Sequence, residues 1–499
     1  MPGNDVLLSI GGAPTAAASG RTFDRHNPFT GKVVTTTAAA GADDARRAAD
    51  AAAAALPAWS ATTPSHRRQV LLRAAELLSA RAEDLAAAMV EEIGAASVIA
   101  QRGAGLAADH IREAAAMTTL AAGQTLPTDR PGSLSMTVRK PMGVCLGIAP
   151  WNGPVVLGAR AIAYPLAFGN TVVFKASEQS PRTHSLLARA FQDAGLPAGV
   201  LDVVHHSAVD GAEVTNALIE HPAVRHINFT GSSRVGRLIA ESAARHHKRV
   251  LLELGGKSPL IVLDDADLDE AARAAALGAF TNQGQVCVST ERVIVHDSVA
   301  DALLSRLGAH AMCMPAGDPS RPENILGSLV DEASAIRVER LVRDAVAAGA
   351  VLVAGGSRDG AVMPPTVLDR VTPDMEIYYE ETFGPATVVI RVADDDEAVS
   401  VANDTDYGLS SAIFSADVTR ALGLAARLDT GMCHINGPTV RDEPQAPFGG
   451  VKASGWGRFG GLPMIDEFTT LQWITVDDLP GHYPPFLADR PRREDVTAD

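Results

Sequence analysis

Residues 144–175 read VCLGIAPWNGPVVLGARAIAYPLAFGNTVVFK. The runs VCLGIAP and TVVFKAS are apolar throughout and of strand length, and residues 155–168 between them predict a helix. The pattern continues downstream. VLDVVHH, HINFTGS and VLLELGG read as further buried strands, separated by helical stretches at 182–195, 211–220 and 233–245. Strands apolar along their length and alternating with helices predict a parallel, doubly wound sheet. A second series follows: SPLIVLD, a helix over 268–280, RVIVHD, and a helix over 300–309. It ends with VLVAGG, PATVVIRV and SSAIFS, separated by helices over 333–348 and 396–403. The fold class is α/β, with a change of unit near Gly255 and Gly256.

Upstream, residues 1–40 carry short β-type runs, and 43–59, 65–93 and 99–122 predict helices. Residues 123–142, with three prolines and the alternating run SLSMTVRK, predict an extended segment or β-arm. Residues 480–499 are proline-rich and charged, with little to bury, and read as a tail.

A chain of 499 residues exceeds one ordinary core, so more than one domain is expected. Its 46% hydrophobic and 20% charged residues mark it as globular. The net charge of −16 disfavours nucleic acid or an anionic membrane as partner, while leaving an anionic small molecule open to local groups. Four scattered cysteines without a C-x-x-C pair argue against disulfides and against a metal site. The N-terminus lacks the pattern of a signal peptide, and a cytoplasmic protein is expected.

Five places carry chemistry. In TNQGQVCVSTER (281–292) the thiol of Cys287 is a candidate nucleophile, although free cysteine is as often a small buried hydrophobe. Phe229-Thr230-Gly231-Ser232 closes a strand and opens a helix, which suits a phosphate or a simple N-cap at Ser232. Lys175-Ala176-Ser177-Glu178 ends a parallel strand, where ligands of open α/β sheets bind; a surface ion pair is the alternative. Pro150-Trp151-Asn152 offers a neutral N–H donor for a developing oxyanion. Glu253-Leu254-Gly255-Gly256-Lys257 places a carboxylate before two glycines, where a partly buried Glu can serve as general base.

Together these stretches resemble the NAD(P)-dependent aldehyde dehydrogenase superfamily along nearly the whole chain. The matching motifs are PWN (150–152), KASE (175–178), FTGS (229–232), ELGGK (253–257), GQVC (284–287), EETFGP (380–385) and PFGG (447–450), in the family's order and spacing. The resemblance implies a Rossmann-like cofactor domain (1–122 and 143–253), an α/β catalytic domain (254–465) and a small β oligomerisation arm (123–142 and 466–479). A homodimer or homotetramer follows from the arm.

It also implies roles. Cys287 attacks the aldehyde, and Asn152 with the Cys287 N–H holds the oxyanion. A hydride passes to the nicotinamide, and Glu253 activates the water that hydrolyses the thioester. Lys175, Ser177 and Glu178 serve the adenosine end of the cofactor, and Gly231 and Ser232 its pyrophosphate. Trp151, Leu254, Gly255, Glu381 and Phe383 serve the nicotinamide end. Glu178 favours NAD+ by repelling a 2′-phosphate, with NADP+ possible because Lys175 is beside it.

Residues 153–165 and the run HINGPTV (434–440), followed by an acidic pair and PFGG, look like the branch that oxidises salicylaldehyde, vanillin and benzaldehyde. By that comparison Arg160, Val286 and Val288 face the substrate, although Arg160 is equally suited to an internal carboxylate partner. Oxidation of aliphatic aldehydes or semialdehydes, transfer to coenzyme A, and a silent binding protein of this fold stand as alternatives. Retention of Glu253 argues against coenzyme A.

Overall fold

The computed structural model describes residues 5–477. The apolar runs form two separate sheets. In the first, the strands run in the order Gly455–Trp456, Arg249–Glu253, Val224–Thr230, Val144–Ile148, Thr171–Lys175, Leu201–Val204, Leu8–Ile10 and Ala13–Thr15. The five central strands are parallel, and the flanking strands pair antiparallel.

Register decides where the chemistry lies. Ile148 pairs with both Lys175 and Phe229, Thr230 pairs with Glu253, and Lys175 pairs with Val204. Four motifs far apart in sequence therefore emerge side by side at one edge, the carboxyl ends of the strands, where open α/β sheets bind ligands.

The second sheet has the order Val351–Ala354, Thr366–Asp369, Ala386–Val392, Arg292–His296, Pro259–Val262, Ser410–Phe414 and Met432–Ile435. All its pairings are parallel except the first. A third, smaller sheet joins Ser133–Pro141 to Thr469–Asp477 through nine antiparallel pairs, with Thr125–Leu126 at its edge. Leu471, Trp473 and Val476 on its outer strand are exposed.

The N-terminal helices are Ala42–Ser60, Pro64–Ala80, Ala82–Ile93 and Ser97–Met117. The single helix expected over 65–93 is thus two. Arg81 has φ −102° and ψ 14°, outside the helical basin, and its N–H turns back to Leu78. The helical spacing of Leu71, Leu78, Leu85 and Met89 hides this break, because the buried face continues across it. The expected tail, 480–499, lies outside the described residues. Among those residues, no helix is long and apolar enough to cross a membrane.

One buried cation ties the second sheet to its covering helix. Arg292 is fully buried, and its guanidinium donates to the carbonyls of Lys257 (3.1 Å), Val401 (2.9 Å), Ala402 (2.8 Å) and Asp404 (3.3 Å). Its removal orphans several buried carbonyls at once. Arg292→Ala is expected to lower unfolding free energy by about 3–5 kcal/mol, at roughly 1–3 kcal/mol for each unsatisfied group. Urea denaturation of the two proteins checks this.

Candidate active site

The nucleophile candidate sits on a strained turn. Helix Leu268–Phe280 ends at Thr281, and Asn282 and Gln283 follow with φ of 51° and 56°, in the left-handed region that non-glycine residues seldom adopt. Their side chains hold them there. Asn282 Nδ2 donates to the Asn152 carbonyl (2.9 Å), and Gln283 Nε2 donates to the carbonyls of Gly94 (3.1 Å) and Ser328 (2.9 Å). Asn152 returns the tether, its Nδ2 donating to the Gln285 carbonyl at 2.9 Å. An amide NH₂ carries two donors, so one remains for a ligand oxygen.

Cys287 lines two cavities, and Asn152 and Leu157 line both with it. The first cavity, about 730 Å³, opens over the carboxyl edge of the first sheet. Its walls include Lys175, Ser177 and Glu178 from one strand end, and Gly231 and Ser232 from another. Trp151, Leu254, Gly255, Glu381 and Phe383 complete the set that the sequence singled out. Ser232 also caps its helix, accepting from the Val235 N–H, so the capping role coexists with an open helix N-terminus. Burial pushes the Lys175 ammonium down to about 8, with Glu178 acting in the opposite direction. The two carboxylates, the lysine and the helix N-terminus in one groove fit the riboses and pyrophosphate of a dinucleotide. Phe383 meets Trp151 edge-on, with ring centroids 5.7 Å apart.

Two glycines of ELGGK are required by contact. A Cβ on Gly255 would lie 2.8 Å from the Glu381 carboxylate oxygens, and one on Gly256 would lie 2.3 Å from the Cys287 carbonyl. The Gly256 N–H donates to Glu381 Oε1 at 2.9 Å.

Glu253 ends its strand almost wholly buried, and neither carboxyl oxygen has a hydrogen-bond partner among the described residues. Desolvation pushes it up to about 8, against the opposing influence of Arg160 and Arg458. Gly449 of PFGG packs so closely that a Cβ there would lie 3.1 Å from Glu253 Oε1. Desolvation, with the charges of Glu253 and Glu381, also raises the Cys287 thiol well above its ordinary value. Among the described residues, no group of three or more His, Cys, Asp or Glu is placed to hold a metal ion.

The second cavity, about 380 Å³, is apolar around the thiol: Val155, Leu157, Val286, Val288, Val440 and Phe448 line it. Arg160 belongs to its wall, but it is buried and partnered inside the protein. Its guanidinium forms an ion pair with Asp442, lies 4.4 Å from the Phe448 ring centroid, and has Nε 3.4 Å from His110 Nε2. The internal-carboxylate alternative for Arg160 is the one the geometry takes up. Tyr164 is buried, with its hydroxyl donating to the Pro444 carbonyl.

Sequence reading missed one pair. Lys257 and Glu291 are buried and 2.7 Å apart. Lys257 Nζ donates further to the Glu380 carbonyl (2.7 Å) and Thr382 Oγ1 (3.1 Å), while the Glu291 carboxylate accepts from the N–H groups of Thr382 and Phe383. The signal was a Lys and a Glu flanking apolar strands inside quoted motifs. Their partnership was not readable from 34 residues' separation.

A model of the aldehyde dehydrogenase family matches residues 15–474. The vanillin dehydrogenase of Pseudomonas fluorescens is 53% identical over 96% of this chain and 99% of its own. The salicylaldehyde dehydrogenase of Pseudomonas putida is 48% identical over 96% of this chain and 99% of its own. The solved structure of a salicylaldehyde dehydrogenase from Pseudomonas putida G7, complexed with salicylaldehyde, superposes with a TM-score of 0.95. It shares 47% identity and covers 96% of this chain and 100% of that one.

Gly256→Ala forces the Cys287 carbonyl to move. Aldehyde-dependent dinucleotide reduction by this variant is expected to fall about a hundredfold, since misplacement near 1 Å carries such a cost. Initial-rate assays, with circular dichroism to confirm folding, check it.

Proposed function

This chain belongs to the aldehyde dehydrogenase family, and from that premise we propose that it oxidises aromatic aldehydes of the vanillin, salicylaldehyde or benzaldehyde type to carboxylic acids. The observation that carries the reading is the position of Cys287, at the junction of a polar groove and an apolar cavity. The ring enters between Val286, Val288 and Phe448, and the Cys287 sulfur, once its thiol has given up its proton to solvent, adds to the carbonyl carbon. The free N–H of Asn152 and the backbone N–H of Cys287 receive the oxyanion.

The polar groove holds a nicotinamide dinucleotide. Lys175 and Glu178 take the adenosine ribose, with Ser177 in their turn, and Gly231 and Ser232 at the helix N-terminus take the pyrophosphate. Glu381 takes the second ribose, and Trp151, Leu254, Gly255 and Phe383 shape the ring's seat. When bound, the nicotinamide supplies the hydride acceptor. Glu178 sets a like-charge cost against a 2′-phosphate, so NAD+ is the preferred form.

Glu253 then takes a proton from the water that attacks the thioester, and Cys287 leaves as the acid is released. Only the carboxylate form is a base. With Glu253 held near 8, about a tenth of it is ionised at pH 7 and the fraction grows as pH rises. Hydrolysis rather than transfer to coenzyme A follows from this base. The exposed Leu471, Trp473 and Val476 of the outer arm strand support a homodimer or homotetramer, working in the cytoplasm.

Three measurements test this reading. Glu253→Gln should release about one equivalent of NADH per site and then stall, and Cys287→Ala should release none. Wild-type kcat should climb with pH through a midpoint near 8; a profile flat from 6 to 9 would remove Glu253 from the rate-limiting step. In a kcat/KM panel with NAD+ and NADP+, benzaldehyde, vanillin and salicylaldehyde should exceed acetaldehyde and succinate semialdehyde.

A further inference from the structure

The substrate cavity has an unbalanced charge. Four ionic side chains line it: Arg102, Arg160, Arg441 and Asp442. Asp442 is committed to Arg160, and its carboxylate also lies 3.2 Å from His110 Nε2. Arg441 is committed to Glu443, at 2.6 Å. Arg102, in the first turns of helix Ser97–Met117, makes no hydrogen bond or ion pair among the described residues. It is exposed, which puts it at the cavity's rim, whereas Cys287 and the apolar walls lie deeper.

The rest of the protein gives this cation its significance. A net charge of −16 repels anions at long range, so an anionic substrate needs a local counter-charge. The deep walls of the cavity are apolar and hold the ring itself. A ring whose aldehyde carbon reaches Cys287 turns its far end outward, towards the rim. A guanidinium there meets a planar anionic oxygen group with two N–H donors, without first breaking a bond to the protein.

We infer that Arg102 is a specificity-determining residue that selects, among aromatic aldehydes, those carrying an anionic oxygen on the ring remote from the aldehyde. A carboxylate and an ionised phenol share that chemistry. The inference rests on the aromatic-aldehyde reading and narrows it to acidic rings.

The test compares kcat/KM for 4-formylbenzoate, 4-hydroxybenzaldehyde and benzaldehyde in the wild-type protein and in Arg102→Gln, Arg102→Glu and Arg102→Lys. In wild type the ratio of 4-formylbenzoate to benzaldehyde should fall as salt rises. Arg102→Gln should lower that ratio roughly fivefold or more, chiefly through KM, as expected for loss of a rim ion pair reinforced by hydrogen bonds. Arg102→Glu should lower it further, and Arg102→Lys should restore much of it. For 4-hydroxybenzaldehyde the effect should appear only as the hydroxyl ionises, which separates the phenolate arm from the carboxylate arm. A ratio that is the same in wild type, Arg102→Gln and Arg102→Glu would overturn the role of Arg102 alone. A wild-type protein that oxidises aliphatic aldehydes but none of the three rings would overturn the underlying reading as well.

Discussion

The buried ion pair between Lys257 and Glu291 is the contact on which the site's geometry depends. Lys257 stands just beyond the end of the first sheet, at the point where the chain crosses to the second. Glu291 stands just before the strand that starts at Arg292. Two charges removed from water are costly unless every remaining donor and acceptor is met. Here both ends are met by the loop at 380–383, through a carbonyl, a hydroxyl and two N–H groups. One pair thereby fixes three segments: the strand end bearing Glu253, the loop bearing Glu381 and Phe383, and the run bearing Cys287. Breaking such a pair from one side leaves an uncompensated charge, at about 3–5 kcal/mol. Gly255 and Gly256, having no Cβ, leave room for Glu381 and the Cys287 carbonyl to lie against them.

Around this satisfied pair lie groups left deliberately unsatisfied. Glu253 is buried without a donor, and the Cys287 thiol is raised by the same desolvation and by neighbouring carboxylates. Asn282 and Gln283 hold an uncommon backbone conformation. Each of these costs stability, and they cluster around Cys287, as strain and perturbed protonation do at functional sites. The residues around them answer with hydrogen bonds: Asn152, Asn282 and Gln283 donate to backbone carbonyls that fix the turn, and Lys257 and Glu291 bind the loop at 380–383.

Charge in the apolar cavity beside Cys287 follows the same division. Arg160 is locked to Asp442 in the wall, stacked on Phe448, so it shapes the cavity as a packed side chain. Arg102 at the rim is uncommitted. A guanidinium already paired gains little from a substrate, whereas a free one is available to it.

Local order decided what the sequence could say by itself. The apolar runs and their spacing specified the strands, the helices and the α/β class, because the period of a helix or strand is written in consecutive residues. The motifs around Asn152, Lys175, Ser232 and Glu253 were likewise legible, since each is a short string at or just beyond a strand's carboxyl end, whereas Cys287 and Glu381 stood out through resemblance to the family. Tertiary structure alone decided the rest. The break at Arg81 was hidden because the buried face runs on across it. The Lys257–Glu291 pair, the Arg160–Asp442 pair and the freedom of Arg102 depend on which distant side chains sheet register and packing bring together. Nothing in the neighbouring residues encodes that choice. A charged residue reads the same in sequence whether its partner is a carboxylate 282 positions away or a ligand, and only the folded geometry tells them apart.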